Sequence, residues 1–296
     1  MSGKQFFVDR YRQLGWEFNN FQPRQAIRIN VINAKGKNLE ERLQTLGFQL
    51  EKIPFLETGY WVRKAKVSVG ATGEYLSGLY SIQEAAAQIP ATLFTDLKGR
   101  TVLDACAAPG GKTVQLADLM GNTGVIVALD VKKRRLAALS NHLERCHVAN
   151  VVVYHLDARH TSRLKLKFDM VLLDAPCSGN FATDSHWFER RTLNDVKRNA
   201  KLQRELLAEA VTCLSDDGEV VYSTCSLEPE ENEANIDWAV KHLNLQTEKV
   251  DCYGQEGLTE FFGSRLDVSV KRSRRIWPGG TQGFFVCKLK KREEKQ

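Results

Sequence analysis

The sequence predicts an α/β protein, a doubly wound and mostly parallel sheet preceded by a small α+β unit. Three observations carry this. From residue 101 onward short apolar runs alternate with helical stretches, and several runs end in an aspartate followed by small residues. Ahead of them the rhythm differs, with short strand patterns closed by Gly70, Gly73 and Gly78.

Residues 1 to about 20 space Phe6, Phe7, Tyr11, Leu14 and Phe18 at three- and four-residue steps, which predicts an amphipathic helix with its aromatics packed on the core. A strand over 27–31 follows, then a helix over 39–46 capped by Asn38 and ended at Gly47, then strands over 48–53 and 60–67. The boundary is expected at residue 75, giving units 1–75 and 76–292 and a charged tail, 293–296. A helix over 82–94 opens the larger unit. Strands over 101–105, 125–130, 151–156 and 168–174 alternate with helices from Lys112 and over 132–146. A helix over 194–214, a strand over 219–223, a helix over 229–243 and strands over 245–250 and 283–289 complete it.

Lys and Arg outnumber Asp and Glu by 42 to 36, and the excess collects in Lys132-Lys133-Arg134-Arg135, in Lys271-Arg272 with Arg274-Arg275, and in Lys288 to Arg292. One such run alone reads as a solvated face, but their recurrence suggests a polyanion partner. The seven cysteines, an odd number, are scattered without a CxxC pair or a set of His ligands beside them, which argues against a disulfide framework or a zinc site and for a reducing compartment. There is no signal pattern and no apolar run near the roughly 20 residues that span a bilayer. The expectation is a soluble, cytoplasmic protein without membrane or metal partners, with a monomer as default.

The stretch Val102-Leu103-Asp104-Ala105-Cys106-Ala107-Ala108-Pro109-Gly110-Gly111-Lys112-Thr113 runs from a strand through small residues into a helix, where backbone can approach a ligand closely. A Walker loop needs glycine where Cys106 stands, and the dinucleotide pattern G-x-G-x-x-G is missing. Asp130, ending the second strand, sits where an acid holds a ribose diol. A nucleoside without pyrophosphate therefore fits best. Asp157 would then face its base, and Asp174 the remainder of the cofactor or the substrate. Each aspartate alone reads equally well as a cap for the helix that follows.

Cys177, in Asp174-Ala175-Pro176-Cys177-Ser178-Gly179, and Cys225, in Tyr222-Ser223-Thr224-Cys225-Ser226, stand in turns at strand ends, which a parallel sheet brings to one edge. Cys146, Cys213, Cys252 and Cys287 read as small buried hydrophobes, and Cys106 as packing or cofactor contact. These residues alone leave open which cysteine attacks a substrate.

The three stretches, in this order, resemble the Nop/Sun family of RNA cytosine-5 methyltransferases. The likeness extends from Arg28-Ile29-Asn30 to Arg275-Ile276-Trp277-Pro278 and Gly283-Phe284-Phe285. It implies a Rossmann-like class I methyltransferase fold with a mostly parallel seven-stranded sheet, an RRM-like amino-terminal domain, and S-adenosyl-L-methionine as cofactor. It further implies that Cys225 forms a covalent adduct with cytosine and Cys177 assists product release. Cofactor contacts would fall on Cys106 to Lys112, Asp130, Arg135, Asp157 and Asp174. The compact layout is similar to archaeal-type tRNA members and favours tRNA over rRNA. Residues 180–195 carry no readable motif.

The implied chemistry explains the thiols. Carbon 5 of cytosine is a poor nucleophile until a thiolate adds to carbon 6, and the carbon 5 proton and the thiolate must then leave. Asp174 would hydrogen-bond the ring at nitrogen 3 and the exocyclic amine, with Lys112 positioning the base or favouring the thiolate. Methylation of an exocyclic amine, which often uses an Asn-Pro-Pro-Tyr turn, is disfavoured by Asp-Ala-Pro-Cys. A non-catalytic RNA-binding or ribosome-assembly factor is disfavoured by the intact Cys177, Cys225, Asp174 and Lys112.

Overall fold

Apolar spacing in the first residues produces a helix, α1 (Lys4–Gln13), that buries Phe7 and Tyr11. It stops well short of residue 20 because Gly15 turns the chain at φ +83°, a conformation that favours glycine. This computed structural model describes residues 2–19 and 21–292; the expected charged tail, 293–296, lies outside the described residues.

The small unit contains β1 (Ala26–Ile29), α2 (Val31–Ala34), α3 (Leu39–Thr45), β2 (Gln49–Lys52), β3 (Gly59–Lys64), α4 (Gly73–Leu76) and β4 (Tyr80–Ile82). Its antiparallel sheet has the order β2-β3-β1-β4 and packs Ile27, Leu43, Phe48 and Tyr80 beneath it. Two expectations are corrected here. Asn38 makes no capping hydrogen bond, because its left-handed backbone (φ 43°) turns the side chain towards Glu41. Ile82 ends a strand that pairs with Ile27, so the small sheet runs past residue 75 and no helix spans 82–94. That segment becomes one 3-10 turn at Ala86–Gln88 and a short α5 (Ile89–Thr92). Pro90 lacks an N–H and would clash with the preceding turn, so it starts a helix and cannot continue one.

The large sheet is built from β5 (Thr101–Asp104), α6 (Gly111–Leu119), β6 (Val125–Asp130), α7 (Lys133–Arg145), β7 (Val151–His155), β8 (Phe168–Asp174), α8 (Trp187–Arg190), α9 (Leu193–Thr212), β9 (Leu214–Thr224), α10 (Glu233–His242), β10 (Leu245–Glu248), β11 (Gln255–Glu256), β14 (Arg274–Ile276) and β15 (Phe284–Lys291), with a hairpin of β12 (Glu260–Phe261) and β13 (Ser264–Arg265) set apart. The order is β11-β14-β15-β9-β8-β5-β6-β7, with β10 beside β15. Strands β9, β8, β5, β6 and β7 are parallel; β15 and the strands beyond it are antiparallel. Among the described residues the sheet has nine strands where seven were expected, because the polar segments at β11 and β14 extend its edge.

Both faces are covered, as near-continuous apolar strands require. Along β8, Val171 and Leu173 pack with Leu206, Leu207 and Ile236 of α9 and α10. Met170 and Leu172 pack the other way, with Ile89, Leu116 and Ala117 of α5 and α6. The chain leaves β5 towards β6 and β7, then returns to the other side as β8. Strand order reverses there, and a crevice opens at the carboxyl ends of the strands.

Candidate active site

The crevice holds a cavity of about 380 Å³ whose walls include Cys106, Ala108, Asp130, Arg135, Asp157, Asp174, Cys177 and Cys225. Residues from five separate loops thus meet at one edge, as the strand-end argument requires. Small side chains at Ala105, Ala108 and Ala175 leave the space open.

The loop that follows β5 divides its residues between two adjoining cavities. Ala107, Pro109, Gly111 and Lys112 line a second cavity of about 190 Å³, which shares Cys106, Ala108 and Asp174 with the first. Gly110 lines neither. Its φ of 105° and the 2.9 Å that would separate a Cβ from Leu139 show that it lets α7 pack closely on the loop.

The aspartates also differ from one another. Asp130 accepts from the Lys132 backbone N–H at 2.7 Å and pairs with Arg135 at 3.1 Å; Arg135 also donates to the Ala108 carbonyl. Asp157 caps the following turn at the Arg159 N–H (3.0 Å), and hydrogen bonding to Arg159 holds its carboxyl below the usual range. Asp174 caps nothing: one oxygen accepts from Lys112 Nζ at 2.8 Å and the other from Ser223 Oγ at 2.7 Å. Burial alone would lower the Lys112 ammonium, but Asp174 and then Cys225 outweigh it and raise it. Asp104, which the sequence reading left without a role, lies beneath this pair. It is buried, takes a hydrogen bond from Thr113 Oγ1 at 2.7 Å, and is pushed up to about 7 by burial against a nearby Asp174.

The Cys177 and Cys225 sulfurs lie 3.1 Å apart, and both are free thiols. The hydrogen bond to Cys225, followed by burial, pushes the Cys177 thiol far up. Either sulfur can donate across this contact, so a proton on one thiol is within reach of the other. Burial and the surrounding aspartates raise Cys106, so it is a poor nucleophile. Burial raises Cys146, Cys213, Cys252 and Cys287 too, in keeping with packing.

A buried polar scaffold fixes the two cysteine turns. Glu231 accepts from the Ser178 N–H at 3.0 Å, from Ser226 Oγ at 3.0 Å and from Gln203 Nε2 at 2.7 Å; Ser178 and Ser226 each directly follow a cysteine. Asn180 donates to the Cys225 carbonyl at 2.7 Å, and Asn232 accepts from Thr224 Oγ1 at 2.6 Å. Sequence reasoning missed all of these. Their one signal is the run Glu228-Pro229-Glu230-Glu231-Asn232-Glu233 directly after the second cysteine turn. It resembles a solvated helix start, yet Glu228, Glu231 and Glu233 are fully buried, with Arg10 and Arg275 pairing the first and third.

Two basic clusters are likewise redirected. Arg275 is buried on Glu233, and the Lys288 to Arg292 segment belongs largely to β15, with Lys288 paired to Glu219 at 2.9 Å. Lys132 and Arg135 remain at the cavity wall. Among the described residues no group of His, Cys, Asp and Glu is arranged to hold a metal, and no helix is long and apolar enough to cross a membrane.

Comparison with known proteins matches residues 91–290 to the family described as 16S rRNA methyltransferase RsmB/F, and residues 4–85 to the N-terminal domain of 16S rRNA methyltransferase RsmF. The chain is 37% identical over 276 residues to a human 28S rRNA (cytosine(4447)-C(5))-methyltransferase, covering 90% of this chain and 34% of that protein. It is 35% identical over 280 residues to ribosomal RNA small subunit methyltransferase F of Aeromonas salmonicida, covering 90% and 58%. The chain thus spans between a third and three-fifths of the length of these relatives. A methyltransferase homologue from Pyrococcus horikoshii superposes with a TM-score of 0.87 at 36% identity over 97% of this chain and 95% of that one. NSun6 from the same organism, solved with SFG, shares the fold with a TM-score of 0.81 at 23% identity, covering 98% and 95%.

Proposed function

Since the chain belongs to the RsmB/F (Nop/Sun) family of RNA cytosine-C5 methyltransferases, we propose that it methylates carbon 5 of a cytosine in a folded RNA. Cys225 is the nucleophile and Cys177 its partner. The observation that carries this reading is the 3.1 Å sulfur pair on the wall of the crevice, beside the Asp174–Lys112 ion pair.

S-adenosyl-L-methionine fits the residues of the cavity of about 380 Å³. Asp130, a buried carboxylate ending β6, supplies an acceptor for a diol, and Ala105 and Ala108 leave room beside it. Cys106, Ala108, Arg135 and Asp157 would complete its holder. When bound, this cofactor supplies an electrophilic methyl group.

The chain's own residues do the rest. The Cys225 sulfur adds to carbon 6 of the ring, the added electron density reaches carbon 5, and carbon 5 takes the methyl group. Asp174, about a third exposed at its side chain, accepts hydrogen bonds from the exocyclic amine and from nitrogen 3 once the adduct is protonated there. The neighbouring Lys112 ammonium balances charge where water is scarce. As solvent water takes the carbon 5 proton and the carbon 5–carbon 6 double bond re-forms, the carbon 6–sulfur bond breaks and the departing Cys225 sulfur takes the proton held by Cys177. The target base must first be unstacked and turned into the crevice. The amino-terminal unit contributes phosphate contacts, and a free thiol pair suits a reducing compartment such as the cytoplasm.

Two substrate classes are to be separated, tRNA and rRNA; the names of the curated relatives favour rRNA. Incubation with labelled S-adenosyl-L-methionine and separate tRNA and rRNA transcripts decides between them. Wild type is expected to form 5-methylcytosine in one class and Cys225→Ala in neither. Methylation by Cys225→Ala would overturn the covalent route, and an inert wild type would favour a non-catalytic RNA-binding factor.

A further inference from the structure

A groove of about 1030 Å³ lies beside the cysteine turns, between the amino-terminal segment and residues 181–189. It brings together the end of the early aromatic run and residues 181–189, which lie in the stretch without a readable motif. Phe18 and Phe21 line it from one, Phe181 and Phe188 from the other. Phe181 and Phe188 stack at 5.2 Å with planes 15° apart, and Phe18 closes on Phe181 at 5.1 Å. Phe181 is buried. Phe18, Phe21 and Phe188 are only half-buried, so core packing leaves part of each ring bordering open space.

The groove rests on the same supports as the two thiols. Asn180, next to Phe181, holds the Cys225 carbonyl at 2.7 Å, and Trp187, next to Phe188, donates from Nε1 to the Ser178 carbonyl at 2.8 Å. Charge favours a polyanion. Lys4 Nζ sits 5.0 Å over the Phe18 ring. Outside the groove's lining, residues 184–201 carry Arg190, Arg191, Lys197, Arg198 and Lys201, of which Arg190 pairs with Asp184 at 3.7 Å and Arg198 with Asp195 at 2.6 Å. Glu189 is engaged by His186 at 3.1 Å.

We propose that this groove is a stacking subsite for an unpaired nucleotide flanking the target cytosine, with Phe188 and Phe18 as its ring platforms. The inference rests on the RNA reading above and deepens it. Turning one base out of a stack deprives its neighbour of a partner, and an aromatic ring accepts any base because every base has a π-face. The groove therefore selects unpaired structure around the target more than sequence.

The test uses the full chain and the transcript it methylates, with 2-aminopurine placed on either side of the target cytosine. Phe188→Leu keeps apolar volume but removes the ring, and Phe188→Trp restores one. Phe188→Leu is expected to raise KM for RNA about tenfold while kcat and cofactor affinity hold, and to relieve quenching of one flanking 2-aminopurine. Phe188→Trp should restore both, and Phe18→Leu, which removes the ring 5.9 Å from Phe188, should repeat the loss. Unchanged KM and quenching in both leucine variants, with normal wild-type methylation, overturn the subsite alone and leave a protein segment as the groove's occupant. Equal losses of kcat and cofactor affinity in both variants also overturn it, since the rings then serve only as structure. A wild type that methylates no RNA overturns the reading beneath it.

Discussion

Asp174 carries a charge that geometry alone does not replace. Asp174→Asn preserves shape but leaves the Lys112 ammonium buried without its counter-charge. Methyl transfer to RNA is expected to fall about a hundredfold or more, read as kcat in single-turnover assays. A change under about threefold would show that the carboxylate does not act on the ring. Glu231 offers a pH test. Burial lifts its pKa from 4.5 to about 7 despite three donors. The folded state thus holds this proton where the unfolded chain has released it, so the group's contribution to stability declines as pH rises from 4.5 to 7 and stays low above. Urea unfolding at pH 5 and pH 8 should show a smaller pH dependence for Glu231→Gln than for wild type, by roughly 2–3 kcal/mol. Parallel profiles would contradict the assignment.

At the scale of elements, Arg28 of β1 joins the small unit to the large one. It donates to Gln83 at 3.0 Å and to Asp118 of α6 at 3.2 Å, and Asp118 also accepts from the Val31 and Ile32 N–H groups that open α2. Burial lowers Arg28 to about 10, with Asp118 opposing. Removing one partner of so buried a pair strands the other. Arg28→Ala is expected to lose about 3 kcal/mol of stability in chemical denaturation; a loss below about 1 kcal/mol would mean that the pair is not what docks the units. The α6 start, the β5, β6 and β8 ends and both cysteine turns were legible because local rules govern them: apolar runs, small residues, strand-end aspartates. The 82–94 segment was misread because Pro90 sits in an otherwise helical pattern and Ile82 answers to Ile27 across the sheet.

At the scale of the whole molecule, what the sequence hid was long-range pairing. Nothing local says that Arg10 will meet Glu228, that Arg275 will meet Glu233, or that Lys288 belongs inside a strand facing Glu219. Charge counts therefore overstated the basic surface, while the acidic run after Cys225 proved to be a buried frame for the active-site edge. The thiol pair depends on that frame: Asn180, Gln203, Glu231 and Asn232 come from three segments to hold two turns at 3.1 Å between sulfurs. The most direct measurement is trapping of the protein on RNA. Wild type, Cys225→Ala and Cys177→Ala are incubated with S-adenosyl-L-methionine and substrate transcript, then run on a denaturing gel. Denaturation-resistant adducts should accumulate with Cys177→Ala and be absent with Cys225→Ala. The reverse pattern, or adducts with neither variant while wild type methylates RNA, would contradict the roles assigned to the two cysteines.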